Sequence, residues 1–210
     1  MPSDNNNLIN DCNPIFVVGM NGSGTTLISD CLGIHPDLYL FPRETRILPH
    51  FIKKLDSYGD LLQLHNRRIL ADDLGNSFPF WRVNKKQPLI IEDIDLQNPG
   101  FSGVVDSIFR HFAASKGVSR WIDKSPMYIQ HIILLSKYFP GAKFIHIYRD
   151  GRDVVQSFHR RWKRYPPLSI LRWKKIVKKG RFDGRKIGKE RYIEIRYEDF
   201  TSNPEKWLKT

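Results

Sequence analysis

A short apolar segment followed by a glycine-rich turn and a helical segment restricts the fold of this chain more than any other feature. Residues 14–19 (PIFVVG) form a continuous apolar run, the pattern of a strand buried on both faces of a parallel sheet. A glycine-rich turn from Gly19 to Gly24 follows, and residues 25–33 (TTLISDCLG) place their apolar side chains at helical spacing. This order of strand, glycine turn and helix predicts an α/β domain that starts here.

The rest of the chain continues the alternation of strands and helices. Further strands are predicted at residues 120–123, 143–148 and 192–197. Helices are predicted at residues 47–55, 58–70, 100–116, 125–138, 150–161 and 168–179, and a last one begins at Asn203-Pro204. Residues 72–97 lack a period and are predicted to be irregular. The alternation favours a parallel sheet with helices on both faces, in one domain over residues 14–210 after a disordered polar tail at 1–13.

Two of the predicted helices begin with a recognisable start signal. Ser125 is predicted as an N-cap because Pro126 follows it at the first helical position. Asp150 is predicted to cap the next helix, directly after the strand at residues 143–148. Both helices are therefore expected to start at the carboxyl end of a strand.

The charge is unevenly distributed along the chain. Lys and Arg total 34 against 22 acidic residues, a formal net charge of +12. Residues 143–196 contain 18 basic and 5 acidic residues, so the remainder is close to neutral. Such a field attracts anions such as nucleic acid, a phosphorylated cofactor or an acidic substrate. A solvated basic face would have the same composition, so charge alone leaves these interpretations open.

Several features bear on the cellular location. No apolar run approaches the ~20 residues of a membrane helix, so we expect no transmembrane segment and no membrane partner. Residues 1–11 lack the charged and apolar regions of a signal peptide. The two cysteines, Cys12 and Cys31, are too few for a disulfide framework. Together these features predict a cytoplasmic protein.

The glycine turn nearly fits a phosphate-binding pattern. Residues 19–26 (GMNGSGTT) follow the pattern G-x-x-x-x-G-K-[ST], except that the lysine position is occupied by Thr25. Backbone N–H groups of such a loop and the following helix N-terminus bind anions. Without the lysine, a nucleoside triphosphatase is disfavoured, and a phosphate that carries a sulfuryl group fits better. The alternative is a tight turn with no ligand. The candidate anion-binding residues are Asn21, Gly22, Ser23, Gly24, Thr25 and Thr26.

A second candidate phosphate site follows the strand at residues 143–148. Arg149 stands at the carboxyl end of that strand, where ligands bind in open α/β sheets. Ser157 and Arg161 follow on one face of the next predicted helix. These three side chains are predicted to converge on one phosphate, which the planar arginine fork binds well. The alternative for Arg149 is an ion pair with Asp150 or Asp153.

Taken together, the two motifs resemble those of the sulfotransferases. The resemblance rests on SGTT after one buried strand and YRDGRDVVQS after another, and it extends to DKSP, RYEDF and the final NP. Sulfotransferases use 3′-phosphoadenosine 5′-phosphosulfate (PAPS) and need no metal. The resemblance implies that residues 21–26 hold the 5′-phosphosulfate, and that Arg149 and Ser157 hold the 3′-phosphate. Arg161 and Tyr197, the tyrosine of RYEDF, are further predicted cofactor contacts.

A third segment points to one branch of that family. Residues 42–49 (PRETRILP) resemble a segment of the tyrosylprotein sulfotransferases. The resemblance implies that Glu44 is the general base, that Arg46 lies in the active site and that Lys124 contacts the transferred group. The acceptor would be a hydroxyl on a small molecule, a glycan or a protein tyrosine. The alternative for Glu44 is a loop carboxylate paired with Arg43 or Arg46.

The sequence departs from the family pattern at two places. The family has Lys or Arg just before SGTT, whereas this chain has Gly22. The family also continues past the YED segment, so we expect that a chain ending at Thr210 is truncated at its C-terminus. A small-molecule or nucleoside kinase with an altered phosphate loop is one alternative function. A basic nucleic-acid-binding module is another, less favoured one, and the oligomeric state is left open.

Overall fold

The computed structural model describes residues 13–163 and 165–209. The tail predicted at residues 1–13 lies outside the described residues, except for Asn13. Five strands are present in the described part: β1 Ile15–Gly19, β2 Leu38–Leu40, β3 Arg120–Lys124, β4 Lys143–Tyr148 and β5 Tyr192–Arg196. The α-helices of that part are α1 Thr25–Gly33, α2 Leu48–Lys53, α3 Leu64–Gly75, α4 Phe78–Val83, α5 Gly100–Ala113, α6 Ile132–Tyr138, α7 Gly151–Trp162, α8 Pro166–Ile187, α9 Tyr197–Ser202 and α10 Pro204–Leu208.

The five strands form one parallel sheet in the order β2-β3-β1-β4-β5. Val17 of β1 is paired with Lys124 of β3, and Gly19 of β1 is paired with Ile147 of β4. The carboxyl ends of β1, β3 and β4 therefore lie side by side at one edge of the sheet. This register places the glycine turn between Lys124 and Arg149.

Hydrophobic cores cover both faces of the sheet. On one face Phe16 of β1 packs edge-on against Trp121, with a ring-centroid distance of 5.8 Å. On the other face Val17 of β1 packs in a separate cluster with Ile28 of α1 and Phe200 of α9. Because neighbouring residues of β1 enter opposite cores, the whole segment must be apolar. The predicted parallel sheet with helices on both faces is confirmed.

The prediction of one continuous helix over residues 125–138 is wrong for the first half of this segment. Pro126–His131 forms a 3₁₀ helix, and the α-helix begins only at Ile132. Ser125 makes no side-chain cap, because its Oγ accepts from the Arg46 backbone N–H at 3.2 Å and donates to the Asp123 carboxylate at 2.8 Å. The N–H of a distant segment thus takes the acceptor that an N-cap would offer to its own helix. The prediction for Asp150 is confirmed, since its carboxylate accepts from the Arg152 backbone N–H at 2.9 Å.

Predictions for residues 34–97 were the least accurate. The three-residue strand β2 was missed, and the helix predicted at 58–70 occupies Leu64–Gly75 instead. The segment predicted to be irregular contains α4, and the buried Arg67 fixes its packing. The Arg67 guanidinium donates to the carbonyls of Leu61 at 2.9 Å and Leu96 at 2.8 Å. Tertiary hydrogen bonds of this kind leave no periodic signal in the sequence.

The remaining differences concern the second half of the chain. Helix α8 is longer than the predicted segment at residues 168–179, since it runs over Pro166–Ile187. The short helix α9 directly follows β5 and was not predicted. It matters for the site, because Tyr197 is its first residue and stands at the carboxyl edge of the sheet.

Candidate active site

The glycine turn has a backbone that side chains resist. Gly22 has φ +85° and Gly24 has φ +96°, both in the left-handed region that favours glycine. A Cβ on Gly24 would lie 2.3 Å from Cδ2 of Tyr197, and one on Gly22 would lie 3.4 Å from Oγ of Ser157. The turn is therefore enclosed by the Ser157 side chain of α7 and the Tyr197 ring of α9. A basic residue at position 22, as the family pattern has, would need the left-handed conformation.

Buried hydroxyl and amide atoms line this turn. Ser23 is fully buried, and its Oγ has no hydrogen-bond partner among the described residues. The Oδ1 atom of Asn21 is likewise buried and has no hydrogen-bond partner among the described residues. Buried polar atoms are rarely left unpaired, so an unpaired group calls for an explanation. The Ser23 hydroxyl is available to donate to an anion that the turn holds.

The threonines that follow the turn differ in exposure. Thr25, at the position where the phosphate-loop pattern has lysine, is buried, and its Cγ2 packs 3.2 Å from where a Cβ on Gly19 would lie. Thr26, at the hydroxyl position of the pattern, is exposed at the N-terminus of α1. Thr25 thus supports the turn by packing, while the Thr26 side chain is accessible from solvent.

Arg149 is connected to the glycine turn by the side chain of Tyr197. Its guanidinium carbon is 4.4 Å from the centroid of the Tyr197 ring, a cation–π contact. It also pairs with Asp153 of α7, with 3.1 Å between Nη2 and the Asp153 Oδ2. The ion pair that was the alternative interpretation of Arg149 therefore forms, and it forms beside the turn. The Asp153 carboxylate holds the arginine fork close to the Tyr197 ring.

The predicted convergence of three side chains is only partly observed. Ser157 is buried against Gly22, and Arg149 reaches the turn through Tyr197. Arg161, four residues beyond Ser157, is exposed, and none of the contacts among the described residues joins it to the turn. Helical spacing put Arg161 on the right face of α7, but one turn farther from the sheet edge.

Glu44, Arg46 and Lys124 form a cluster at the same edge of the sheet. The Lys124 Nζ lies 2.8 Å from Oε1 of Glu44, and the Arg46 Nε lies 2.6 Å from Oε2. The side chains of Glu44 and Lys124 are 21% and 18% exposed, whereas that of Arg46 is 57% exposed. Glu44 thus has both the Arg46 pairing of the alternative interpretation and a second cation from β3. The same side chain accepts hydrogen bonds at both oxygens.

A buried polar network lies directly behind this cluster and was missed in the sequence. The carboxylate of Asp123 accepts from the hydroxyls of Thr45 and Ser125, and the Tyr128 hydroxyl lies 2.6 Å from Oγ1 of Thr45. Burial raises the pKa of the Asp123 carboxyl to about 6, although the hydrogen bonds from Thr45 and Ser125 oppose the rise. Burial also raises the pKa of the Tyr128 hydroxyl. The signal was present, because Thr45 and Asp123 lie inside the segments that carry the family resemblance.

The sequence comparison decides which family has this arrangement. The profile of the Sulfotransferase family matches residues 14–210. The chain belongs to the sulfotransferase family. The resemblance seen in the sequence is thereby confirmed, and the matched residues include the glycine turn, the Glu44–Lys124 cluster and the Arg149 segment.

Individual relatives within the sulfotransferase family are distant. The chain is 24% identical over 204 residues to the protein-tyrosine sulfotransferase of Drosophila melanogaster, which is 93% of this chain and 36% of that protein. It is 24% identical over 207 residues to protein-tyrosine sulfotransferase 1 of Danio rerio, which is 93% of this chain and 51% of that protein. The chain therefore spans between about a third and a half of the length of these curated relatives.

A solved structure agrees with the fold of this sulfotransferase. The sulfotransferase domain from the Synechococcus PCC 7002 olefin synthase superposes with a TM-score of 0.58 at 28% identity. The match covers 96% of this chain and 73% of that domain. Within residues 13–163 and 165–209, no three His, Cys, Asp or Glu side chains are grouped as a metal site. Every helix of the described part is too short or too polar to span a membrane.

Proposed function

We propose that this sulfotransferase transfers a sulfuryl group from PAPS to an acceptor hydroxyl, with Glu44 as the general base. The observation that carries the proposal is the meeting of Glu44 and Lys124, with 2.8 Å between Oε1 and Nζ, at the sheet edge where the glycine turn lies. A carboxylate, an ammonium group and an anion-binding turn are the parts that sulfuryl transfer needs. Membership of the family favours this function over a kinase or a nucleic-acid-binding module.

The residues around the turn fit the two ends of the donor. PAPS, when bound, supplies the sulfuryl group and a phosphate leaving group. The 5′ end would be held by the backbone N–H groups of the turn and by the buried Ser23 hydroxyl, which has no partner among the described residues. The 3′-phosphate would be held by Arg149 and Ser157, which lie beside the turn. Arg149 would then share its fork between this phosphate and Asp153.

As the proposed base, Glu44 would have to free one of its oxygens, because both are occupied. Oε1 accepts from Lys124 and Oε2 accepts from Arg46. Arg46 is the more exposed of the two cations, so it is the one that can swing into solvent when an acceptor enters. Oε2 would then accept the proton of the acceptor hydroxyl, which typically contributes 10²–10⁴-fold to the rate. Lys124 would remain and place positive charge where negative charge develops.

The acceptor is proposed to be a phenolic hydroxyl. Support comes from the relatives in Drosophila melanogaster and Danio rerio, whose names state that they act on protein tyrosine. The exposed position of Arg46 leaves room for a bulky acceptor at Glu44. Small-molecule and glycan hydroxyls are the acceptors against which a tyrosine peptide should be compared. The cytoplasmic location stays a prediction.

The proposal is tested by binding and turnover together. Calorimetry should show that the chain binds 3′-phosphoadenosine 5′-phosphate (PAP) more tightly than AMP, since Arg149 and Ser157 are proposed to hold the 3′-phosphate, which AMP lacks. Radiolabelled sulfate should then pass from PAPS to a tyrosine peptide. Equal affinities for PAP and AMP would contradict PAPS as the donor. Binding of PAP without transfer to any phenolic, glycan or small-molecule hydroxyl would contradict the proposed reaction.

A further inference from the structure

Two chains of hydrogen bonds start at the backbone behind Glu44 and end on one buried carboxylate. In the first, the Arg46 N–H donates to Oγ of Ser125 at 3.2 Å, and that hydroxyl donates to Oδ1 of Asp123 at 2.8 Å. In the second, the Leu48 N–H donates to the Tyr128 hydroxyl at 3.0 Å. That hydroxyl lies 2.6 Å from Oγ1 of Thr45, which donates to Oδ2 of Asp123. Asp123 is fully buried.

The direction of every hydrogen bond in these chains is determined by their ends. A backbone N–H can only donate, and an ionised carboxylate can only accept. The Tyr128 hydroxyl therefore accepts from Leu48 and donates to Thr45, and Thr45 donates to Asp123. An amide at position 123 would present a donor to one of two hydroxyls that already donate. Only the ionised carboxylate accepts both chains.

The chain positions of these residues connect the network to the proposed base. Thr45 stands between Glu44 and Arg46, and Asp123 directly precedes Lys124. Two contacts therefore lie side by side: Thr45 with Asp123 in the interior, and Glu44 with Lys124 at the surface. Arg46 has φ +59°, a left-handed conformation that costs a non-glycine residue energy. Its N–H bond to Ser125 helps to hold the segment in that conformation.

We propose that Asp123 is a positioning residue which, through Thr45 and Ser125, holds the backbone of residues 44–46 so that Glu44 and Lys124 meet. The inference rests on the proposed function of Glu44. Asp123 itself is sealed from solvent, so we expect it to contact neither donor nor acceptor. Its effect on turnover passes through the position of Glu44 alone.

The decisive test is a matched pair of substitutions at Thr45. Thr45→Val keeps the shape of the side chain and removes the hydroxyl, whereas Thr45→Ser keeps the hydroxyl and removes a methyl group. Turnover of PAPS with a tyrosine peptide should fall roughly 10²-fold in Thr45→Val, the scale of a small misplacement of a catalytic group. The acceptor KM and the PAP affinity should change little. Thr45→Ser should retain most of the turnover, and Asp123→Asn should behave like Thr45→Val.

A structural measurement separates this inference from the proposed function. Crystal structures of both variants give the distance between Glu44 Oε1 and Lys124 Nζ, which is 2.8 Å in the native chain. Loss of that contact in Thr45→Val and its retention in Thr45→Ser support positioning, even if the native chain proves inactive. Equal turnover in the two variants, or an unchanged contact in Thr45→Val, overturns it. A parallel loss of PAP affinity and turnover in Thr45→Val would indicate general structural damage and also overturn it.

Discussion

The Arg149 guanidinium lies over the face of the Tyr197 ring, 4.4 Å from its centroid. The same ring also lies against Gly24, since a Cβ there would lie 2.3 Å from Cδ2 of Tyr197. One aromatic side chain thus joins the glycine turn that follows β1 to the arginine that follows β4. The two halves of the proposed donor site are connected by this contact.

Arg149→Ala should weaken PAP binding without affecting AMP. The lost contact is a charge-assisted hydrogen bond to the 3′-phosphate, which typically contributes ~1.5–3 kcal/mol, so the PAP affinity should fall about tenfold or more. Arg149→Lys keeps the charge but loses the planar fork, and we expect an intermediate affinity. Isothermal calorimetry with both nucleotides gives the measurement. A parallel loss of AMP affinity would show that Arg149 supports the fold of the site and does not read the 3′-phosphate.

Glu44→Gln should reduce turnover and leave donor binding intact. The amide cannot accept the proton of the acceptor hydroxyl, so the rate of sulfuryl transfer should fall by roughly 10²-fold or more. The PAP affinity should stay close to that of the native chain, because Glu44 is not among the residues around the turn. Glu92→Gln, which changes an exposed carboxylate outside this cluster, is the control. Normal turnover in Glu44→Gln would mean that Glu44 is only a loop carboxylate held by Arg46 and Lys124.

Gly24→Ala should weaken PAP binding more than a matched glycine substitution elsewhere. Gly117 also has a left-handed φ, +68°, but a Cβ there would meet nothing within 4 Å. Both substitutions carry a backbone cost of roughly 1–2 kcal/mol in thermal or urea unfolding. Only Gly24→Ala displaces Tyr197, so only this variant should lose PAP affinity, by about tenfold, equivalent to ~1.4 kcal/mol. Equal PAP affinities in the two variants would separate Tyr197 from the donor site.

The stability of the chain should depend on pH through Asp123. Burial raises the pKa of this carboxyl to about 6 from an ordinary value of 3.8. Between these two pH values the carboxyl is therefore mostly protonated in the folded chain and mostly ionised in the unfolded chain. The stabilisation is fully present below about pH 4 and is lost as the pH rises through about 6. The free energy of unfolding should therefore fall by about 3 kcal/mol across this range.

Asp123→Asn provides the comparison for that measurement. Urea unfolding of both proteins between pH 4 and pH 7 should show the difference between them changing by this amount, in favour of the variant as the pH rises. A constant difference would contradict the raised pKa of Asp123. If Asp123 also has the proposed positioning role, its ionised form destabilises the fold, yet this ionised form is the one that the reaction requires.

The sequence predicted the parts of the site that are continuous in the chain. The glycine turn and the Arg149 segment follow buried strands, and apolar runs of that kind are readable without tertiary information. The exposure of Arg161 was not predicted, because helical spacing gives the face of a helix but not its distance from the sheet edge. Whether Arg149 and Ser157 bind a phosphate stays a prediction.

Contacts between distant segments were beyond a reading of the sequence. Glu44 and Lys124 were each singled out, yet nothing in their separate segments states that they pair. The misread N-cap at Ser125 has the same origin, because local spacing favoured a helix start while its Oγ accepts from the N–H of Arg46, 79 residues earlier. An N–H of a distant segment competes with the N–H groups of the following helix for the serine oxygen, and only the tertiary structure shows from which one it accepts.

The 80 positions that separate Glu44 from Lys124 make the proposed active site a late product of folding. The two segments meet when β3 pairs with β2, the strand that precedes Glu44, and that pairing closes a loop of about eighty residues. Contacts of such long range form slowly, since the entropy of loop closure precedes any gain from the pairing. A partly folded chain that has formed β1, the glycine turn and α1 has the proposed donor turn but lacks the proposed base. Assembly of the Glu44–Lys124 pair would then report the pairing of β2 with β3, and amide hydrogens of Arg46 and Leu48 would exchange with solvent when these segments separate.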